Sequence, residues 1–113
     1  MFTFLMGLSS VTPKQLHEMT QHGDVAVFDM NARQSWLKAR VPGAKNLDPL
    51  NFGRQDLPAE KTSRLVFYCS NPFCRKAPNA ARQAKKMGYP DVYVMTAGIT
   101  GWIDAKLPAE SGE

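Results

Sequence analysis

The sequence predicts an α/β domain of three layers, α/β/α, with a mainly parallel central sheet. Three observations carry that prediction: continuous apolar runs of strand length, helix-forming segments between them, and Pro and Gly marking the joins. Strands separated by helices require right-handed crossovers and so lie parallel. Each element can be justified in chain order.

Thr12-Pro13-Lys14-Gln15 reads as a helix start, with a Thr cap, Pro in the first turn and Gln three residues after the cap. Leu16 and Met19 mark its buried side, and Gly23 ends it. Val25 to Phe28, ending at Asp29, is a continuous apolar run, as expected of a strand covered on both faces. Asn31 is the expected cap of a short helix through Trp36, stopped by Val41-Pro42-Gly43-Ala44. A brief strand at Asn46 and Leu47 follows. The stretch from Asp48 to Ser63 contains Pro49, Gly53 and Pro58 and reads as an irregular connection with at most one helical turn. Leu65 to Tyr68 is the second strong strand and runs straight into Cys69. Ala77 to Met87 is rich in helix formers, with Gly88 as its stop. Val92 to Met95 is a third strong strand, and Gly98 to Lys106 a last helix anchored by Trp102.

A chain of 113 residues suits one domain. We expect residues 1–10 to be an N-terminal extension, 11–110 the domain and 111–113 a short tail. Hydrophobic residues at 43% and charged residues at 21% match globular usage and argue against disorder or a membrane-spanning class. The apolar start, Phe2 to Leu8, is too short to span a bilayer and has no basic leader, so a cytoplasmic location is the default expectation. Packing on the domain, pairing with another copy and fraying all remain open for it. Two cysteines do not make the disulfide framework of a secreted protein, and a chemical role or a reduced pair suits them better.

The net charge of +4 suits anionic partners only where it gathers on one face. Arg75, Lys76, Arg82, Lys85 and Lys86 follow the first cysteine with no acid among them. They form either a solvated helix face or a field that draws small anions towards Cys69. Nucleic acid is disfavoured, because aromatic residues do not interleave the cluster. His17 and His22 lack ligand spacing with the cysteines, which argues against a metal site and leaves both as exposed polar residues.

Ligands of open parallel sheets sit beyond the carboxyl ends of strands, where Cys69 stands. The segment Cys69-Ser70-Asn71-Pro72-Phe73-Cys74-Arg75 joins a strand to a helix start, and Lys76 follows it. Its backbone N–H groups are placed to converge on one anion. The helix dipole and Arg75 favour the thiolate of Cys69, the form that attacks, and Arg75 suits an oxyanion through paired hydrogen bonds. The opposing reading makes Cys69 a small core residue. Cys74 has three readings: packing beneath the loop, contributing to binding, or acting as a resolving thiol that closes a disulfide on an oxidised Cys69.

At this point the chain resembles the rhodanese family, from Val11 to Pro108. Asp29 to Ala44 is similar to the family's first signature, with an Asp after a strand, Trp36 on a short helix and the Pro42-Gly43-Ala44 turn. Val66-Phe67-Tyr68-Cys69 resembles the strand leading to the active cysteine. Val92 to Trp102 resembles the closing strand, the turn at Gly98 and the tryptophan helix. The resemblance implies a rhodanese-like fold with about five strands, and Asp29, Trp36, Pro42, Gly43, Gly98 and Trp102 in structural roles.

It also implies a sulfurtransferase without a cofactor. Cys69 would take sulfane sulfur from a small anionic donor such as thiosulfate, hold it as a persulfide and pass it to cyanide, a thiol or a sulfur-relay protein. Ser70 to Lys76 would bind the donor.

Two departures stand out. Where members usually carry Arg, Glu, Gly and His, this chain has Asn31, Ser35, Ala39 and Arg40, so no salt bridge is carried over from the family there. The active loop is longer than the common one and rigidified by Pro72, and its Cys-x5-Arg spacing is similar to that of cell-cycle dual-specificity phosphatases and arsenate reductases. Phosphatase or arsenate reductase chemistry is therefore an alternative, with Asp29, Asp48 or Asp56 as acids to be placed. A non-catalytic binding module is a third reading.

Overall fold

Residues 8–113 are described by a computed structural model. Five strands form one parallel sheet in the order β1-β5-β4-β2-β3. They are β1 (Ser9–Ser10), β2 (Ala26–Asp29), β3 (Lys45–Asn46), β4 (Leu65–Tyr68) and β5 (Val92–Val94). The helices are α1 (Pro13–His22), α2 (Arg33–Lys38), α3 (Lys76–Lys86) and α4 (Gly98–Asp104), with a single 3-10 turn at Arg54–Asp56.

The central strand β4 explains the layering. Side chains alternate across a strand, so Leu65, Phe67 and Cys69 pack with Ala77, Ala80, Ala81 and Ala84 of α3. Val66 and Tyr68 pack on the other face with Leu16 of α1 and Trp102 of α4. The four alanines recur at helical spacing and present only methyl groups, which lets the α3 backbone lie close to the sheet. All four residues of β4 are fully buried, as the unbroken apolar run requires.

Local chemistry sets the ends. The α1 capping box is complete: Gln15 N–H donates to Thr12 Oγ1 at 3.0 Å, and Thr12 N–H to Gln15 Oε1 at 2.9 Å. Gly23 closes the helix at φ 80°, in the left-handed region. The connection between β3 and β4 is irregular apart from its one 3-10 turn, as expected.

Two expectations are corrected. Asn31 does not cap α2: Ala32 occupies that position without a side-chain cap bond, while Asn31 is buried. The reason is that Asp29 Oδ1 captures the Asn31 N–H at 2.8 Å and turns the chain inward. His17 is not an exposed polar residue; it is half-buried and packs edge-on against Trp102, ring centroids 5.9 Å apart. Ser9–Ser10 forms an edge strand beside Tyr93 and Val94, an element built on main-chain bonds with no apolar signature. Of the apolar start, residues 2–7 lie outside the described residues, while Leu8 packs partly buried against the α3 side of the core. Among the described residues, no helix is long and apolar enough to cross a membrane.

The carboxyl ends of β2 and β4 are tied by a buried polar cluster. Tyr68 Oη donates to Asp29 Oδ2 at 2.6 Å and accepts from Val41 N–H at 3.1 Å. Burial raises the Asp29 carboxyl above its usual 3.8, against the opposing pull of hydrogen bonds from Tyr68 and Asn31 and the charge of Arg40. Burial and the neighbouring carboxylate push the Tyr68 phenol up as well.

A group whose folded-state pKa is raised adds stability that is complete below its unfolded value and is lost as pH rises through the folded one. Unfolding midpoints in urea are therefore expected to fall as pH climbs from 3.8 through the raised Asp29 value, and Asp29→Asn is expected to remove that slope. Tyr68→Phe leaves Asp29 Oδ2 and Val41 N–H without partners and is expected to cost about 1–3 kcal/mol in the same titration.

Candidate active site

β4 ends at Tyr68, and the next residue, Cys69, sits at the carboxyl edge of the sheet between the two strands that flank it. Its place is fixed by main-chain bonds from α4. Ile99 N–H donates to the Cys69 carbonyl at 2.9 Å and Thr100 N–H to the Ser70 carbonyl at 3.1 Å. Gly98 makes this approach feasible: it lies at φ 70°, and a Cβ there would stand 2.5 Å from the Ser70 carbonyl.

The loop is organised around its own side chains. Asn71 Oδ1 accepts from Phe73 N–H at 2.9 Å, and the Asn71 carbonyl accepts from Cys74 N–H at 3.1 Å, which makes a tight turn. That turn brings Cys74 back onto Cys69, and the two are joined in a disulfide with Cα atoms 6.4 Å apart. Ser70 Oγ donates to Asn31 Oδ1 at 2.8 Å, linking the loop to the chain leaving β2. Asn31 is held in turn by Asn46 Nδ2, which donates to its carbonyl at 2.8 Å.

The structure separates the residues expected to act together. Cys69 is only 3% exposed and joins the apolar cluster beneath α3, whereas Cys74 is half-buried. Asn71, Pro72, Phe73, Arg75 and Lys76 are exposed, the large apolar Phe73 at 88%. The expected convergence of all the loop amides is not the arrangement seen with the disulfide closed, because Phe73 and Cys74 N–H are both taken by Asn71. The first-turn amides of α3 at Lys76 and Ala77 have no acceptor among the described residues.

Two cavities flank the loop. One, of about 500 Å³, is lined by Pro72, Cys74, Arg75, Pro78, Arg82 and Thr96. The other, of about 590 Å³, is lined by Asn31, Arg33, Asn46, Leu50, Lys76 and Asn79. The buried Nδ2 of Asn31 has no acceptor among the described residues. The basic cluster therefore divides. Arg75, Lys76 and Arg82 border the cavities, while Lys85 and Lys86 lie in the last turn of α3, about 15 Å along the helix from its start.

The residues of the first signature bond to one another and to the C-terminal segment. Trp36 Nε1 donates to the Ala44 carbonyl at 2.9 Å, and the Arg40 guanidinium lies 3.9 Å from the centre of the Trp36 ring. Arg40 also pairs with Glu110 at 3.7 Å, and Gly43, at φ 82° after Pro42, donates its N–H to the same carboxylate at 3.0 Å. Trp102 Nε1 donates to the Pro108 carbonyl at 2.7 Å. Reading the sequence missed the Asn31–Ser70 link and the part Arg82 and Thr96 play in lining the Cys74 cavity. A contact across 39 positions between two polar residues has no periodic signal to find it by.

Of the three acids considered for leaving-group protonation, Asp29 has both carboxyl oxygens engaged, whereas Asp48 and Asp56 each accept through one oxygen and Asp48 lines the second cavity. Both Asp29 oxygens are bonded, to Asn31 N–H and Tyr68 Oη. Asp56 accepts from Gly53 N–H at 2.9 Å, and Asp48 from Leu50 N–H at 2.9 Å.

Comparisons with known proteins agree with this architecture. The Rhodanese-like domain family matches residues 12–105. The thiosulfate sulfurtransferase GlpE of Haemophilus influenzae is 27% identical over 106 residues, covering 94% of this chain and 98% of that protein. The enzyme of the same name from Glaesserella parasuis is 25% identical over 104 residues, covering 92% and 94%. A crystal structure of a Pseudomonas aeruginosa thiosulfate sulfurtransferase superposes with a TM-score of 0.82 at 24% identity, over 94% of this chain and 20% of that one. A Bacillus halodurans protein superposes with a TM-score of 0.83 at 19% identity, over 91% of this chain and 77% of its own.

Gly98→Ala is expected to destabilise the fold by about 1–3 kcal/mol, since it combines a left-handed backbone with a clash against Ser70. Thermal unfolding of the disulfide form, compared with that of Gly43→Ala, isolates the clash, because Gly43 shares the positive φ but has open space around it.

Proposed function

The chain belongs to the rhodanese family, and from that premise we propose that it is a sulfurtransferase whose reduced Cys69 carries sulfane sulfur as a persulfide. The observation that carries this reading is the placement of Cys69: a cysteine at the carboxyl end of the central strand, on a loop that opens into the first turn of α3. Free first-turn amides and a flanking guanidinium favour negative charge at such a point, and a thiolate is the nucleophile that sulfur transfer needs.

The thiolate attacks the outer sulfur of a donor such as thiosulfate. A sulfur–sulfur bond forms on Cys69, the bond to the sulfonate group breaks, and sulfite leaves. Arg75 and Lys76, together with the Lys76 and Ala77 N–H groups, are the donors suited to the anion. Ser70 acts by position, because its hydroxyl holds the loop to Asn31. The acceptor is a thiol or cyanide. A reducing compartment such as the cytoplasm would hold the Cys69–Cys74 pair open for the reaction. The engagement of both Asp29 oxygens within the scaffold counts against that residue as the leaving-group acid that phosphate-ester chemistry needs.

The same disulfide favours one second reading, arsenate reduction, in which an oxyanion would receive the two electrons of the dithiol. The two readings are separated by assay of the reduced protein with thiosulfate and cyanide, with a phosphate ester, and with arsenate and a thiol. Thiocyanate is the expected product, and Cys69→Ser is expected to abolish it. Arg75→Ala is expected to lower kcat/KM for thiosulfate by about 10- to 100-fold, the loss of a hydrogen bond to a charged group. Equal inactivity of wild type and Cys69→Ser towards thiosulfate, with rapid turnover of arsenate or the phosphate ester, would reject the sulfurtransferase reading.

A further inference from the structure

We propose that Cys74 is a built-in acceptor, so that this protein releases the sulfur it takes up as sulfide and closes the Cys69–Cys74 disulfide in doing so. The inference rests on the persulfide reading above and names what becomes of the sulfur. In the step, the Cys74 thiolate attacks Cys69 Sγ, the Sγ–Sγ bond forms, the bond from Cys69 Sγ to the sulfane sulfur breaks, and the sulfane sulfur leaves as HS⁻ with a proton from the medium. The sulfane sulfur gains two electrons, and the two cysteine sulfurs supply them. Summed with uptake, thiosulfate and two thiols yield sulfite, sulfide and one disulfide.

Three observations carry the proposal. First, the disulfide joins the cysteine expected to hold sulfur to a residue five positions on, within a loop in which no residue takes a positive φ. Ordinary backbone therefore suffices for the contact. Second, the loop is shaped to return Cys74 to Cys69: Pro72 limits the chain, and Asn71 closes the turn by accepting from both Phe73 and Cys74 N–H. A thiol held this way competes at an effective concentration far above that of free thiols in solution.

Third, burial divides the labour. Cys69 is closed off in the core, while Cys74 lines the cavity that also contains Arg75 and Arg82. With the disulfide closed, an outside thiol therefore meets Cys74 before Cys69. Attack there forms a mixed disulfide on Cys74 and expels the Cys69 thiolate, which regenerates the nucleophile. The co-substrate that fits is a dithiol, whose second sulfur clears Cys74.

The test uses the reduced full-length protein, freed of reductant under anaerobic conditions and given thiosulfate alone. Sulfite reports uptake and sulfide reports resolution. About one equivalent of each per chain is expected, with the intact mass showing a closed disulfide and no added sulfur. Cys74→Ser is expected to release sulfite without sulfide and to hold an extra ~32 Da until a thiol is supplied. Wild type that releases sulfite but keeps the added sulfur, with no sulfide, would overturn this inference while leaving the persulfide reading intact. Absence of sulfite from wild type would overturn both. The wild-type measurement decides the matter even where the variant fails to fold.

Discussion

Two main-chain hydrogen bonds, from Ile99 and Thr100 to the carbonyls of Cys69 and Ser70, bear the geometry on which the site depends. A cysteine leaving a strand has no inherent reason to stay at the sheet edge, since the backbone there has left the ladder and needs new partners. The start of α4 supplies them, and it comes close enough only because Gly98 has no side chain. Through this contact the end of β4, the turn before α4 and the loop become one unit.

The polar cluster beneath that unit performs a related task. Asp29, Tyr68 and the N–H groups of Asn31 and Val41 satisfy one another out of water, and burial of such groups is tolerable only when every partner is present. The same arrangement removes Asp29 from the list of proton donors available to Cys69. This buried carboxyl is thus part of the scaffold. Arg40, which stands where the family's usual residue differs, is accommodated by the Trp36 ring and Glu110. It braces the C-terminal segment without reaching the loop.

The loop itself divides in two. Its inner half, Cys69 and Ser70, is buried or tied to Asn31, while its outer half exposes Phe73 and the cations. A short turn with its own hydrogen bonds connects the halves. The closed disulfide follows from that turn, and it places the accessible sulfur and the buried sulfur in different surroundings.

Much of this was legible in the residues alone. The apolar runs at Val25 to Phe28 and Leu65 to Tyr68 foretold buried strands, because a run of that length without alternation has to be covered on both faces. The cap at Thr12, the stop at Gly23 and the anchoring role of Trp102 were equally readable, since each is decided by neighbours in the chain. Asn31 was misread because its local pattern suits a cap as well as it suits a buried link, and the choice belonged to Asp29 and Ser70. His17 was misread because its partner, Trp102, lies on another helix. β1 has no hydrophobic signature at all and is specified by the open edge of β5.

The sequence by itself determined which segments become strands and helices, and that a cysteine would stand where the central strand ends, because periodicity, capping and turn chemistry act over a few residues. Only the tertiary structure decided how deep Cys69 lies, that Asn71 folds the loop so that Cys74 reaches it, and which cations border the opening. Those outcomes depend on contacts between distant segments, which exist only once α3 and α4 have packed on opposite faces of the sheet.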